Sequence, residues 1–221
     1  MDLTGKVAVV TGSGRGLGLA YASELARRGA AVVVNDVDAD VAGQAVAAIA
    51  AEGGNAVAEV VPVGSSDAAQ ALVDRAVREF GRLDILVNNA GILRDSTLWK
   101  MTDEDFDAVI ATHLRGTFTC TRAAAIKLRE QGEGGRIICV GSPTGQVGNF
   151  GQTNYAAAGI TGQAVGIGGD RLALWSHPTE VVVEFADGTG WSPDAIAQAW
   201  PEKFAPSQQT VGQQLPQEPG K

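Results

Sequence analysis

Short apolar runs alternate along the chain with stretches in which apolar residues recur every third or fourth position. KVAVV (6–10) reads as a first strand closed by Gly12. Leu17, Tyr21 and Leu25 then fall four apart, the stripe of a helix that stops near Gly29. AVVVN (31–35) is a second strand, and an alanine-rich helix follows from about 39 to 51, ended by Gly53 and Gly54. AVAEVVPV (56–63) is a third strand. Ser66 stands where a helix N-cap belongs, ahead of an apolar face made by Leu72, Val73, Ala76, Val77 and Phe80. LDILVNN (83–89) is a fourth strand, and T-D-E-D at Thr102 opens a helix that runs, with a break, to about Arg129. RIICVGS (136–142) is a fifth strand.

Strands that alternate with helices in this way pair parallel through right-handed crossovers, so the pattern predicts an α/β fold. Its expected form is a Rossmann-type, doubly wound, three-layer parallel sheet. No linker interrupts residues 1–200, which are read as one domain. Within it, RLALWSHP and EVVVEFADG predict a hairpin or extended excursion, and WSPDAIAQAW a short helix with Ser192 as N-cap and Pro193 at its first position. Trp175, Trp191 and Trp200 are expected to pack as a satellite cluster rather than to form an interface. The Gln- and Pro-rich tail, 201–221, is expected to be loosely ordered.

Composition narrows the function classes. A net charge of −8 over 221 residues argues against a nucleic-acid partner, which needs a basic face. No apolar run reaches membrane-spanning length, and the first residues lead straight into a strand without a signal peptide, so a cytoplasmic protein is expected. Cys120 and Cys139 have apolar or small neighbours and no metal-ligand spacing, which points to reduced core thiols and no metal site.

The candidate chemistry begins at VVTGSGRGLG, which follows the first strand and opens the first helix. Gly12, Gly16 and Gly18 there let the backbone turn tightly and approach a pyrophosphate at the helix N-terminus. Asp36, at the end of VVVND, is placed to accept hydrogen bonds from the ribose hydroxyls of NAD and to repel the additional phosphate of NADP. Arg15 pulls the other way, because a loop arginine can pair with that phosphate. NAD is favoured, since the carboxylate would have to move whereas the arginine can turn to water.

T-G-x-x-x-G-x-G at 11–18, N-N-A-G at 88–91, and Ser142 followed by Tyr155 together resemble the short-chain dehydrogenase/reductase family over residues 1–158. HLRGTF (113–118) and GNFGQTNYAAA (148–158) are most similar to the branch acting on 3-oxoacyl and 3-hydroxyacyl thioesters. The resemblance implies hydride transfer between NAD(H) and a small carbonyl or alcohol, carried on coenzyme A or an acyl-carrier protein. It implies that Ser142 orients the carbonyl and that Tyr155 passes the proton. It places Leu17 with the glycine loop against the cofactor, Asn89, Ala90 and Gly91 beneath it with Asn89 near the adenosine ribose, and the backbone of Val63 at the adenine. Pro62 occupies the position where many members carry an aspartate for that base. The family's catalytic asparagine falls on His113, which is open to two roles, a water-holding proton relay or a structural residue at a helix break.

The family also has a lysine four residues after the tyrosine, which holds the nicotinamide ribose and lowers the tyrosine pKa. Here that position is Gly159. The long helix carrying Tyr and Lys, the sixth strand and the substrate loop are absent, and ITGQAVGIGGD (160–170), which resembles the family's last core strand, follows directly, as an in-frame deletion would leave it. Impaired catalysis is therefore expected, with a non-catalytic nucleotide-binding or assembly protein as the alternative. Strand 163–169 is expected to pair parallel with 136–142 and complete six parallel strands, with at most a short helix around 154–158. The sheet face near the fifth strand should then be under-packed and apolar, a setting that favours a homo-oligomer or filling by the 172–200 excursion.

Overall fold

The computed structural model describes residues 1–142, 144–147, 149–158, 164–168 and 171–174. Two compact units divide the chain, Met1–Ser176 and His177–Lys221, and every described residue lies in the first. The expected excursion beyond Leu174, the Ser192 helix, the three tryptophans assigned to a satellite cluster, and the tail lie outside the described residues, as does Gly159.

Strands β1 (Val7–Val10), β2 (Ala31–Asp36), β3 (Asn55–Val60), β4 (Ile85–Asn88) and β5 (Gly135–Cys139) form a parallel ladder in the order β3-β2-β1-β4-β5. They are connected through α1 (Gly16–Arg27), α2 (Ala39–Ala51), α3 (Ser66–Phe80), α4 (Asp103–Ile110) and α5 (Gly116–Gln131). This is the doubly wound, three-layer arrangement that the alternation predicts. Successive residues of β1 serve opposite faces. Val7 and Val9 join Leu72, Val73, Leu83, Leu86, Leu128 and Ile137 in one core layer, while Ala8 and Val10 join Ala22, Ala26, Val32, Ile49 and Val87 in the other. Each fully buried Leu, Ile or Val here contributes roughly 1.5–3 kcal/mol of transfer free energy. Cys120 and Cys139 are free and buried, and burial pushes the Cys120 thiol up to about 11, away from reactivity at neutral pH.

The helix starts show how local chemistry sets the boundaries. Asp38 caps α2 by accepting from the Asp40 and Val41 N–H groups. The cap of α3 is Ser65, one residue earlier than expected, with its Oγ accepting the Ala68 N–H at 3.1 Å. Ser66 becomes the first helical residue, and its hydroxyl accepts from Arg122 Nη2 at 2.8 Å. Thr102 caps α4 through the Asp105 N–H. The break expected before Arg129 is a five-residue π-helical segment, Ala111–Arg115, between α4 and α5. Such a widened turn offsets one side chain from its helical row, here His113.

An ion cluster around the buried Asp84 ties the base of the sheet together. Asp84, 5% exposed, accepts the Val7 N–H at 3.0 Å, Arg82 Nε at 2.8 Å and Nη2 at 2.7 Å, and Lys6 Nζ at 3.2 Å. Arg82 Nη2 also donates to Glu133. Burial works to raise the Asp84 pKa, but the Arg82, Val7 and Lys6 hydrogen bonds outweigh it and hold the carboxyl below its ordinary value.

The end of the sheet corrects the expected pairing. After β5 come two short helices, α6 (Thr144–Val147) and α7 (Thr153–Ala158), then strands β6 (Ala164–Gly168) and β7 (Arg171–Leu174). β6 pairs with β5 antiparallel, Arg136 opposite Gly166 and Ile138 opposite Ala164, and β7 pairs antiparallel with β6. Among the described residues the sheet therefore has seven strands, of which β6 alone runs against the rest and β7, reversed again, runs with β1–β5, rather than six parallel neighbours. The reason is geometric. A parallel crossover must carry the chain back across the full sheet, normally with a long helix. α7 has six residues and spans only about 9 Å at 1.5 Å per residue. Starting β6 at the edge where β5 ends needs no return journey. On the face shared with α1, Ile138 is 45% exposed although its register partner Val87 is buried.

Candidate active site

The C-terminal ends of the parallel strands open onto a cleft of about 610 Å3, within the usual range for ligand pockets. At one end lie Gly12, Arg15, Leu17, Gly18, Asp36 and Val63, at the other His113, Ser142 and Tyr155, and Asn89, Ala90 and Gly91 lie between them. Gly16 sits in the same loop with φ +59°, a conformation that favours glycine.

The glycine loop is built for close approach. A Cβ on Gly18 would lie 2.2 Å from the Gly12 carbonyl oxygen, and one on Gly12 would lie 2.7 Å from Ala90 Cα. α1 has no side-chain cap and no acidic residue in its first turn, so its N-terminal N–H groups face the loop without a protein anion. These features fit a dinucleotide pyrophosphate. Asp36 is 7% exposed, and its carboxylate accepts the Val37 N–H at 2.8 Å, the Asp38 N–H at 3.3 Å and the Gly14 N–H at 3.2 Å. About one of a carboxylate's four acceptor positions is then left for a ribose hydroxyl.

Several residues that the sequence did not single out hold this end in shape. A Cβ at Gly14 would lie 2.6 Å from Asp36 Oδ2. Ser13 donates to the Val10 carbonyl at 2.6 Å and accepts the Asn35 N–H at 3.1 Å, while Asn35 Nδ2 reaches the Glu59 and Val61 carbonyls. Asn35 is a polar residue inside an otherwise apolar run, and that was the available signal. Thr11 Oγ1 accepts the Asn89 and Ala90 N–H groups, and Asn89 Nδ2 donates to the Thr11 and Gly12 carbonyls at 3.0 Å each. Asn89 thus serves as a brace for the loop.

At the other end, Ser142, Tyr155, His113 and Asn88 line a smaller recess. Ser142 Oγ accepts the Thr144 N–H at 3.3 Å, which leaves its own proton to donate. The Tyr155 and His113 rings meet edge to face with centroids 4.9 Å apart. His113 Nε2 lies 2.8 Å from the Ile92 carbonyl oxygen and 3.0 Å from the Ile92 nitrogen, and the tautomer decides which of the two it serves. Gly91 leaves room for this ring, because a Cβ there would lie 2.5 Å from His113 Cε1.

Among known proteins, the sequence model for short chain dehydrogenases matches residues 6–165. The chain belongs to the short-chain dehydrogenase family. It is 52% identical over 174 residues to a hydroxyacyl-CoA dehydrogenase of Mycobacterium tuberculosis, covering 72% of this chain and 55% of that protein. It is 47% identical over 169 residues to the peroxisomal multifunctional enzyme type 2 of Mus musculus, covering 72% of this chain and 22% of the mouse protein. A 3-oxoacyl-[acyl-carrier-protein] reductase of Synechocystis is 46% identical, with 71% of this chain and 63% of the reductase covered. The chain therefore spans only part of the length of these relatives. A solved structure described as a short-chain alcohol dehydrogenase from Sinorhizobium meliloti superposes with a TM-score of 0.68 at 33% identity, over 71% of this chain and 62% of the other. Among the described residues of this short-chain dehydrogenase, no helix is long and apolar enough to cross a membrane, and no cluster of His, Cys, Asp or Glu could hold a metal.

Proposed function

We propose that this short-chain dehydrogenase is an NAD(H)-linked oxidoreductase for 3-hydroxyacyl or 3-oxoacyl thioesters, with catalysis impaired in this form. The observation that carries the reading is the single cleft with the glycine loop and Asp36 at one end and Ser142, Tyr155 and His113 at the other. The thioester class is supported by the printed activities of the dehydrogenase and reductase relatives. When bound, the nicotinamide supplies or accepts the hydride. Ser142 donates a hydrogen bond to the substrate oxygen, and the Tyr155 hydroxyl gives or takes the proton. Asp36 binds a ribose hydroxyl, and its charge excludes a phosphate in that place. The impairment follows from glycine at position 159, where the family's cation would stand. Loss of general acid–base help alone costs about 10²–10⁴ in rate. The exposed stripe Leu114, Phe118 and Ile126 along the π segment and α5 supports a homo-oligomer.

Calorimetric titration tests the cofactor half. NADH is expected to bind at least several-fold more tightly than NADPH, and both weakly. Equal or reversed affinities would remove Asp36 as the discriminator, and no binding of either would show that the cleft does not take a dinucleotide.

Steady-state assays test the catalytic half. NADH-dependent reduction of an acetoacetyl thioester is expected at or near background, and Gly159→Lys alone is not expected to restore it, because an isolated charge is not positioned. A residual rate removed by Tyr155→Phe supports an impaired oxidoreductase. Dinucleotide binding with no rate sensitive to that substitution favours the second reading, a non-catalytic nucleotide-binding protein, which the same glycine motivates. Robust turnover lost on Tyr155→Phe overturns the impairment.

A further inference from the structure

Tyr155 sits on α7, which has only six residues, yet its ring is fixed against His113 at the cleft. The contacts that fix it lie on its N-terminal side. Asn154 is fully buried, at 0% exposure. Its Nδ2 donates to the Arg94 carbonyl at 3.0 Å and reaches the Asp105 carbonyl at 3.4 Å, while its Oδ1 accepts the Tyr155 N–H at 2.8 Å. One side chain thus joins the tyrosine turn to the loop after β4 and to the first turn of α4. Two residues earlier, buried Gln152 donates to Asp95 Oδ2 at 3.0 Å and accepts from Asn149 Nδ2 at 3.0 Å. The backbone repeats the link, with the Ser96 N–H donating to the Gly151 carbonyl at 2.8 Å.

We propose that Asn154, supported by Gln152, is the positioning residue that holds the Tyr155 ring at the cleft. Both amide hydrogens of Asn154 point at carbonyl oxygens of separate elements, a bridge that neither an apolar residue nor a carboxylate of the same size can make. A buried amide that bridges two segments in this way also leaves two acceptors short when it is removed, so the turn cannot simply settle back. Every residue in this set of contacts lies N-terminal to Ala158. The role assigned to Asn154 rests on the oxidoreductase reading above, but the geometry does not.

The test is spectroscopic and uses the full 221-residue chain, which has two tyrosines and two histidines. With both residue types isotopically labelled, the wild type is expected to show a strong ring-to-ring nuclear Overhauser effect between Tyr155 and His113. In Asn154→Ala that effect is expected to fall by about an order of magnitude as the ring samples several rotamers, while the Tyr21 signals stay in place and report an intact fold. An unchanged effect in Asn154→Ala overturns the proposal. Should Tyr21 also move to unfolded positions, Gln152→Ala is the deciding variant. A weakened Tyr155–His113 effect with Tyr21 in place supports the clamp, and an unchanged one overturns it. Failure of NADH to bind in the calorimeter would sink the oxidoreductase reading without altering either spectroscopic outcome.

Discussion

Alanine at position 18 is expected to abolish dinucleotide binding while leaving the sheet folded. A Cβ at Gly18 would lie 2.2 Å from the Gly12 carbonyl oxygen, 2.8 Å from Ser13 Cα and 2.6 Å from Asn89 Nδ2. Two of those atoms are backbone, and the third is tied to the Thr11 and Gly12 carbonyls. The loop must therefore shift as a unit, at an overpacking cost of about 1–3 kcal/mol. That movement carries the Gly12 peptide out of place and breaks the close approach that a pyrophosphate requires. Calorimetry should show NADH affinity reduced by at least about a hundredfold, on the order of 2.7 kcal/mol, with far-ultraviolet circular dichroism unchanged. Gly16→Ala makes the contrast. No atom lies within 4 Å of its Cβ, and only its φ of +59° opposes the change, so a smaller loss of about 1–2 kcal/mol is expected. Equal effects at the two positions would show that crowding against Gly12 is not what matters.

Asp84→Ala is expected to be strongly destabilising. It leaves the Val7 N–H without its acceptor and strips Arg82 and Lys6 of their shared partner. Removing one member of a buried pair costs about 3–5 kcal/mol, and partial exposure of Arg82 places this case near the lower figure. For a chain of this size that is a fall in Tm of roughly 6–12 °C. The pH dependence has a definite sign. The folded Asp84 carboxyl titrates below its ordinary value of 3.8, so its contribution is fully present above that value and is lost as pH falls through the lower folded one. The Tm difference between wild type and Asp84→Asn should be wide at pH 7 and close as pH falls from 3.8 through the lowered value of the folded carboxyl. A difference constant over that range would show that the charge is not the stabilising element.

Much of the fold was legible because strand and helix periods differ. The 39–51 helix has the boundaries that its alanines and flanking glycines suggest, and Gly81 and Gly132 end helices in the left-handed region where a glycine stop is expected. The apolar runs 56–63 and 83–89 extend past the strands they form. Val61 and Val63 pack against the core without continuing the ladder, and apolarity alone does not reveal a missing partner. The antiparallel direction of β6 is hidden from the sequence for a related reason. Burial demands a place for an apolar run but carries no information on its direction, which the short helical span of the connection decides. At the cleft, the glycines and Asp36 stand in recognisable order along the chain. Ser13, Asn35, Gln152 and Asn154 matter through partners 20 to 60 positions away, a relation invisible until the chain is folded.

The antiparallel β6–β7 pair at the end of the sheet bears on how the molecule assembles. Joining β1 to β4 brings Ala8 against Ile85, and the ordering entropy of the whole intervening chain must be met before that contact is gained. β6 and β7 face no such delay, since Gly168 and Arg171 pair across a connection of only two residues. A ribbon of this kind closes in about 1–10 μs, long before distant parallel strands find one another. Two strands alone are only marginally stable in water, so the ribbon forms and dissolves repeatedly until β5 offers it an edge. The chain therefore carries a fast local motif and a slow distant one, and the β5–β6 seam is where their two clocks must meet.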